Sequence, residues 1–148
     1  MRKNGLISIL CCLLIMVCLS PVEAATDKPY TVVIDAGHGG KDPGAIGRIS
    51  QEKDLNLSVA LSAGEKIAKK YPEVKVLYTR KTDVFLPLQS RADFVNKNDA
   101  DLFICIHTNS ADNKDAKGAE TFVLGTERMG DNLDVAMREN AVIKLESD

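Results

Sequence analysis

Apolar positions along the chain fall into short runs that stop abruptly at polar or glycine-rich segments. Tyr30 to Ile34 is a β-branched run ending at Asp35-Ala36-Gly37-His38-Gly39-Gly40, which predicts a buried strand delivering His38 to a sheet edge. Glycines on both sides of His38 let the backbone turn without Cβ clashes and should leave open space around the imidazole. Asp35 to Ser50 then reads as a long Gly-rich loop, of a length that in compact domains is usually functional. Helical periodicity starts near Asp54, with Leu55, Val59, Ile67 and Ala68 at helical spacings and Leu57 and Leu61 broadening the stripe, and it stops by Lys70, before Pro72.

Glu73 to Thr79 carries Val74, Val76 and Tyr78 on alternate positions and predicts a second strand. Leu86 to Asn96 predicts a second helix with Leu88, Ala92 and Val95 inward. Leu102 to Ile106 is a continuous apolar run bounded by polar residues, the pattern of a central strand covered on both faces, with Cys105 as a small buried hydrophobe. It too ends at a histidine, His107. Gly118 to Leu124 predicts a fourth strand, and Asn132 to Leu145 the start of another helix. Strands alternating with helices of these lengths argue for an α/β layer fold, in which sites lie at the carboxyl ends of the strands.

The first residues do not belong to that pattern. Arg2 and Lys3 precede an apolar run from Leu6 to Leu19, and Pro21-Val22-Glu23-Ala24 supplies small residues at a cleavage point, so residues 1–24 read as a signal peptide. The run is shorter than the ~20 residues of a spanning helix, so no stable membrane anchor is expected once the leader is cut. Residues 25–29 form a linker and residues 30–148 one domain, exported to the periplasm or envelope or secreted. Three of the four cysteines lie in the leader, which leaves Cys105 and no disulfide framework. With 27% charged residues and a net charge of −2, the chain shows no basic patch directed at nucleic acid.

His38 and His107 are the only histidines, and each stands just beyond an apolar strand. A shared site explains that placement better than two separate structural roles. Catalytic zinc commonly takes three protein ligands from His and carboxylate and keeps a position for water. Glu52, at the end of the glycine loop and just before the first helix, is the best third ligand; helix capping is its competing explanation, although Asp54 is placed to do that work. Asp35 and Asp42 compete for the ligand position, with loop-stabilising and turn roles as their ordinary readings. The loop lacks the lysine of a phosphate-binding P-loop and the glycine spacing of a dinucleotide fingerprint.

Taken together, Val33 to Gly40, Asp42-Pro43-Gly44-Ala45, Glu52 to Leu57, Thr79 to Asp83 with Leu88, Arg91 and Ala92, Asp101 to Ser110 and Gly118 to Phe122 form ordered blocks over about residues 30 to 125. This pattern resembles the zinc-dependent N-acetylmuramoyl-L-alanine amidases of the amidase-3 type. The resemblance implies zinc on His38, Glu52 and His107, and hydrolysis of the amide joining N-acetylmuramic acid to L-alanine in peptidoglycan. It also implies a three-layer α/β sandwich around a mixed, mainly parallel sheet of the phosphorylase/hydrolase-like kind, incomplete at its C-terminal end. An activator protein is a further expected partner.

The family's catalytic base is a glutamate on a later strand, expected beyond Asp148; within the chain Glu120 is the nearest candidate, while Glu127, Glu139 and Glu146 read as solvated charges. Arg91 and Asn109 are candidate substrate contacts, with structural and turn roles as the alternatives; Arg80 too can fix substrate oxygens, but on a loop it more often pairs with Asp83 or stays solvated. Two rival functions stay open. One is an inactive metal-bearing domain that binds peptidoglycan or a protein partner, and the other is a zinc peptidase cutting within the stem peptide.

Overall fold

Strand β1 (Thr31–Ala36) is buried at every position, with Val33 and Ile34 fully enclosed, because strands pair with it on both edges and other elements cover its two faces. In the computed structural model, which describes residues 28–108, 115–123 and 136–146, β1 is flanked by β2 (Lys75–Tyr78) and β3 (Leu102–Ile106). Both pairings are parallel, so the sheet order is β2-β1-β3. Helix α1 (Glu52–Lys70) links β1 to β2, and α2 (Leu88–Lys97) lies between β2 and β3.

This order has a direct consequence. The chain steps from β1 to β2 in one direction and then crosses back over β1 to reach β3, and right-handed crossovers in opposite directions put their helices on opposite faces. Val32, Ile34 and Ala36 accordingly pack toward α1, in a core with Ala60, Leu57, Ala63 and Ile67. On the other face Asp35 meets Arg91 of α2. The helix–sheet–helix layering expected from the sequence is therefore present around a small parallel sheet, and the described strands include no antiparallel pair. The strand order reverses at the carboxyl ends of β1 and β3, the place where open α/β sheets form ligand sites.

Several expectations need correction. Among the described strands the central one is β1, whereas β3 is an edge whose Ile104 and Ile106 pack on the core while Leu102, Phe103 and Cys105 are exposed. A continuous apolar run shows that a strand could be covered on both faces, but does not say that anything covers it. Residues 118–123 form no strand: a strand exists only by pairing, no described strand lies beside them, and Val123 is 75% exposed; Leu124 lies outside the described residues.

On α1 the buried positions are Glu52, Asn56, Ala60 and Gly64, whereas Leu55, Val59 and Ala68, counted in the apolar stripe, are exposed. Small residues let the helix approach the sheet, and the two polar ones at its start carry chemistry inward; hydrophobic periodicity registers neither. On α2 the inward residue is Arg91, while Ala92 is exposed. Residues 136–139 are helical and run into a 3-10 turn at Asn140–Leu145. The leader expected at residues 1–24, Asn109, Glu127 and the first residues of the helix expected from Asn132 lie outside the described residues. No described helix is long and apolar enough to cross a membrane.

Candidate metal centre

Three elements deliver the three residues singled out in the sequence. His38 stands two residues beyond β1 in a left-handed conformation, φ 61°, between glycines; His107 follows β3; Glu52 opens α1. No side chain caps α1. The loop does so instead, with Ala45 O accepting Glu52 N (2.9 Å) and Pro43 O accepting Lys53 N (3.1 Å), so Asp54 is not the cap its position suggested. That relief from capping leaves the Glu52 carboxylate free to turn toward the sheet.

Ligand atoms of His38, Glu52, His107 and a fourth residue, Glu139, all lie within 4.8 Å of one another. The imidazoles meet edge to face at 4.8 Å between ring centroids. His38 Nε2 is 3.4 Å from Glu52 Oε1 and 3.3 Å from Glu139 Oε2; His107 Nδ1 is 3.2 Å and 2.7 Å from the same atoms. Space between the glycines flanking His38 is not open, as the sequence suggested, but used. A Cβ on Gly37 would stand 2.4 Å from His107 Cε1 and Nε2, and one on Gly44, further along the loop, 2.6 Å from His38 Cδ2 and 2.8 Å from Glu52 Oε2.

Asp42, a competing ligand in the sequence, instead fixes the ring of His38. Its Oδ2 lies 2.7 Å from Nδ1 while Oδ1 accepts Gly44 N at 3.1 Å. A carboxylate beside Nδ1 selects the tautomer protonated there and turns the Nε2 lone pair toward the cluster. Nε2 is buried and has no hydrogen-bond partner, an orphan that a cation would satisfy. Two imidazole nitrogens and a carboxylate are the donor set of a borderline cation such as zinc, so the residues present fit a metal.

The protonation states point the same way. Burial opposes the charged form of His38, but Glu139, Glu52 and Asp42 outweigh it and push its pKa up to about 10. For His107 burial is likewise outweighed, by Cys105, Glu139 and Glu52, and the group is pushed up to about 12. Burial favours the neutral acids, yet His107, His38 and the amides of Ala45 and Thr108 hold Glu52 well below the usual carboxylate range. Glu139 is lowered to about 2, with His107 and His38 overcoming its burial. Without a metal this is a site that demands positive charge.

Asp35 accepts from Arg91 Nη1 (2.7 Å), from Thr79 and from Cys105 Sγ (3.1 Å), away from the cluster. Arg91 itself is 6% exposed and donates to Leu86 O, Ala36 O and His38 O as well as Asp35. Its fork faces inward, so it is not presented to a ligand. Arg80, read as a solvated or Asp83-paired charge, is 3% exposed and donates to the carbonyls of Ala36, Gly37, Lys53 and Thr82.

Glu120 sits on the exposed 118–123 segment and is not in the cluster, whose fourth carboxylate is Glu139, read in the sequence as a solvated charge. In the sequence Glu139 stands four residues after Val135 and three before Val142, an acid on an apolar helical face, a signal it shares with Glu146, four residues after Val142. A cleft of about 480 Å³ opens beside the cluster, walled by Ala45, Val142 and Leu145 with Arg138 at its lining.

The chain is similar to known proteins in sequence and in fold. The family model described as N-acetylmuramoyl-L-alanine amidase matches residues 32–147. The N-acetylmuramoyl-L-alanine amidase AmiC of Escherichia coli O6:H1 is 38% identical over 107 residues, which are 72% of this chain and 25% of AmiC. The catalytic domain of CwlV, an N-acetylmuramoyl-L-alanine amidase from Bacillus (Paenibacillus) polymyxa, superposes with a TM-score of 0.55 at 43% identity, covering 59% of this chain and 49% of that one. The CwlD amidase from Clostridioides difficile, solved in complex with the GerS lipoprotein, gives a TM-score of 0.54 at 30% identity, covering 59% and 52%. The chain thus spans a quarter of AmiC and about half of the two solved amidases.

Proposed function

Because the chain belongs to the N-acetylmuramoyl-L-alanine amidase family, we propose that it is an exported zinc amidase domain that hydrolyses the bond between N-acetylmuramic acid and L-alanine in peptidoglycan. The observation that carries this reading is the convergence of His38 Nε2, His107 Nδ1 and the Glu52 carboxylate at one sheet edge. His38, Glu52 and His107 would hold the ion. Bound zinc supplies a Lewis acid for the amide carbonyl and brings the pKa of water to about 7.

The chain's own groups do the rest of the preparation. Asp42 retains the His38 Nδ1 proton and so keeps Nε2 a donor of electrons. Thr108 N and Ala45 N hold the two oxygens of Glu52 (2.8 and 2.9 Å) and add to the lowering of its pKa by His107 and His38. The cleft beside the cluster has an apolar wall of Ala45, Ala141, Val142 and Leu145 and carries both acids, at Glu52 and Glu139, and cations, at Arg138 and Lys144, a lining with room and polar groups for a short peptide. The leader-like segment at residues 1–24 supports export of the domain, and the CwlD–GerS complex supports expecting a protein partner for this chain as well.

Glu139 favours a second reading. Hydrolytic zinc sites keep one position for water, and a fourth carboxylate 2.7 Å from His107 Nδ1 takes up that space. In that state the chain holds metal without turning substrate over. The two readings part in one experiment. The zinc-loaded chain and its Glu139→Ala variant are incubated with purified peptidoglycan, and the soluble products are weighed by mass spectrometry. Intact stem peptides with a free L-alanine amine support the amidase, and their appearance only with Glu139→Ala supports the closed state. Fragments cut within the stem peptide would replace the amidase by a peptidase, and zinc-loaded protein inert in both forms would leave a binding domain.

A further inference from the structure

We infer that Asn56 and Arg80 are positioning residues which set the spacing of the three ligand-bearing segments before any metal arrives. The inference rests on the zinc reading above. Asn56 is fully buried, one helical turn after Glu52. Its Nδ2 donates to Glu52 Oε1 and to Gly37 O, both at 3.3 Å, and its Oδ1 accepts Thr108 Oγ1 at 2.8 Å. Gly37 immediately precedes His38, and Thr108 immediately follows His107. One side-chain amide therefore touches all three segments.

Arg80 makes a parallel connection from the loop after β2. Its Nε donates to Ala36 O (2.9 Å), and Nη2 donates both to Gly37 O (2.9 Å) and to Lys53 O (2.8 Å). The guanidinium thus ties the backbone before His38 to the backbone after Glu52. Such ties are needed because the three ligands come from three different elements, so no local geometry fixes their separations. His38 is also in a left-handed conformation next to glycines, the softest backbone in the region. Burying an amide and a guanidinium is costly unless their donors are satisfied; here the hydrogen bonds that satisfy them are the ones that align the ligands.

A purely structural role would lower the thermal midpoint and leave metal affinity alone, so affinity and geometry are the readouts that decide. The full chain and the variants Asn56→Ala, Arg80→Lys, Thr108→Val and Thr108→Ser are titrated with zinc against a chromophoric chelator. Cobalt is substituted to read ligand geometry from its visible bands, and the metal-free thermal midpoints are recorded. We expect Asn56→Ala, Arg80→Lys and Thr108→Val to weaken zinc by about 10- to 100-fold, the usual effect of losing an outer hydrogen-bond partner of a metal ligand. Their cobalt spectra should also change, whereas Thr108→Ser, which keeps the hydroxyl, should match the parent in both. Should Asn56→Ala not fold, Thr108→Val at an exposed position still decides. Parental zinc affinity and cobalt spectra in Thr108→Val and Arg80→Lys would overturn the inference; failure of the parent chain itself to bind zinc would instead overturn the reading beneath it.

Discussion

Two regions meet at the cluster and are held in opposite ways. The segment from Ala36 to Glu52 is gripped from the interior: its first three carbonyls accept from Arg80 and Arg91, Asp83 and Lys53 clasp Gly40, and Asp42 and Glu52 pin its own amides. Residues 136–146, which bring Glu139, are mostly exposed and are tied down at their ends, by Glu139 to the two histidines and by Glu146 to the first amide of α2. Three cluster residues, His38 and Glu52 of this segment and His107 after β3, are part of the fold, and Glu139 is laid over them. A ligand in the first region should be indispensable, while Glu139 should be replaceable.

Removing a ligand from the sheet side of the cluster is the strongest way to break that contrast. Structural zinc sites distribute ~10–16 kcal/mol over about four ligands, so His38→Ala, His107→Ala or Glu52→Ala should each weaken zinc by more than about 100-fold, whereas Glu139→Ala should weaken it by less than about tenfold. Chelator competition measures both. Equal losses at Glu139 and Glu52 would show that the overlaid segment is as integral as the loop.

Asp42 comes next. Asp42→Asn keeps the shape but reverses the polarity opposite His38 Nδ1, so zinc should weaken by about 10- to 100-fold with the fold intact by circular dichroism. An unchanged affinity would mean that the ring is oriented by packing against His107 rather than by its carboxylate.

The sequence made the gripped region legible and the overlaid one opaque, for reasons visible residue by residue. The β-branched run before His38 and the apolar run before His107 mark parallel strands ending at one sheet edge, so the pairing of the two histidines could be read from their positions alone. Glu52 needed the family pattern, because an acid at a helix start has a bland explanation of its own. Asn56 and the buried role of Arg80 were missed, and the structural role of Arg91 stood only as one of two readings, because burial of polar groups is decided by tertiary partners: nothing local in Thr79-Arg80-Lys81 shows that three distant backbone carbonyls await the guanidinium. The strand expected at Gly118–Leu124 failed for the same reason in reverse, its apolar residues having no described strand beside them.

Proton linkage gives a smaller and oppositely signed test of the same cluster. Between its ordinary value of 6.5 and about 10, His38 is protonated in the folded chain and neutral in the unfolded one, and His107 behaves alike up to about 12. Their contribution to metal-free stability is complete below about pH 6.5 and drains away as pH rises through the folded values. Glu139, lowered from 4.5 to about 2, and Glu52, lowered further, contribute fully above about pH 4.5 and lose that contribution as pH falls through the folded values. The metal-free chain should therefore have its highest thermal midpoint between about pH 4.5 and 6.5. Zinc affinity should instead rise with pH, because the ion must displace the same protons. A metal-free midpoint that climbs from pH 6.5 to 9 would show that the histidines are neutral in the folded chain.

The smallest effect tests whether the overlaid segment is held as one piece. Helix α2 begins after Pro87 without a side-chain cap of its own, and Glu146 Oε1 accepts Leu88 N at 2.7 Å from 58 residues away. A carboxylate there both satisfies a helix-end donor and complements the helix dipole, so Glu146→Ala should cost about 0.5–2 kcal/mol of stability. If that bond also keeps Glu139 over the histidines, Glu146→Ala will shift zinc affinity in the same direction as Glu139→Ala. The double variant will then show no further shift, the signature of two residues acting through one element. Additive shifts would instead mean that Glu139 reaches the histidines by the packing of its own helical turn, and that Glu146 serves α2 alone.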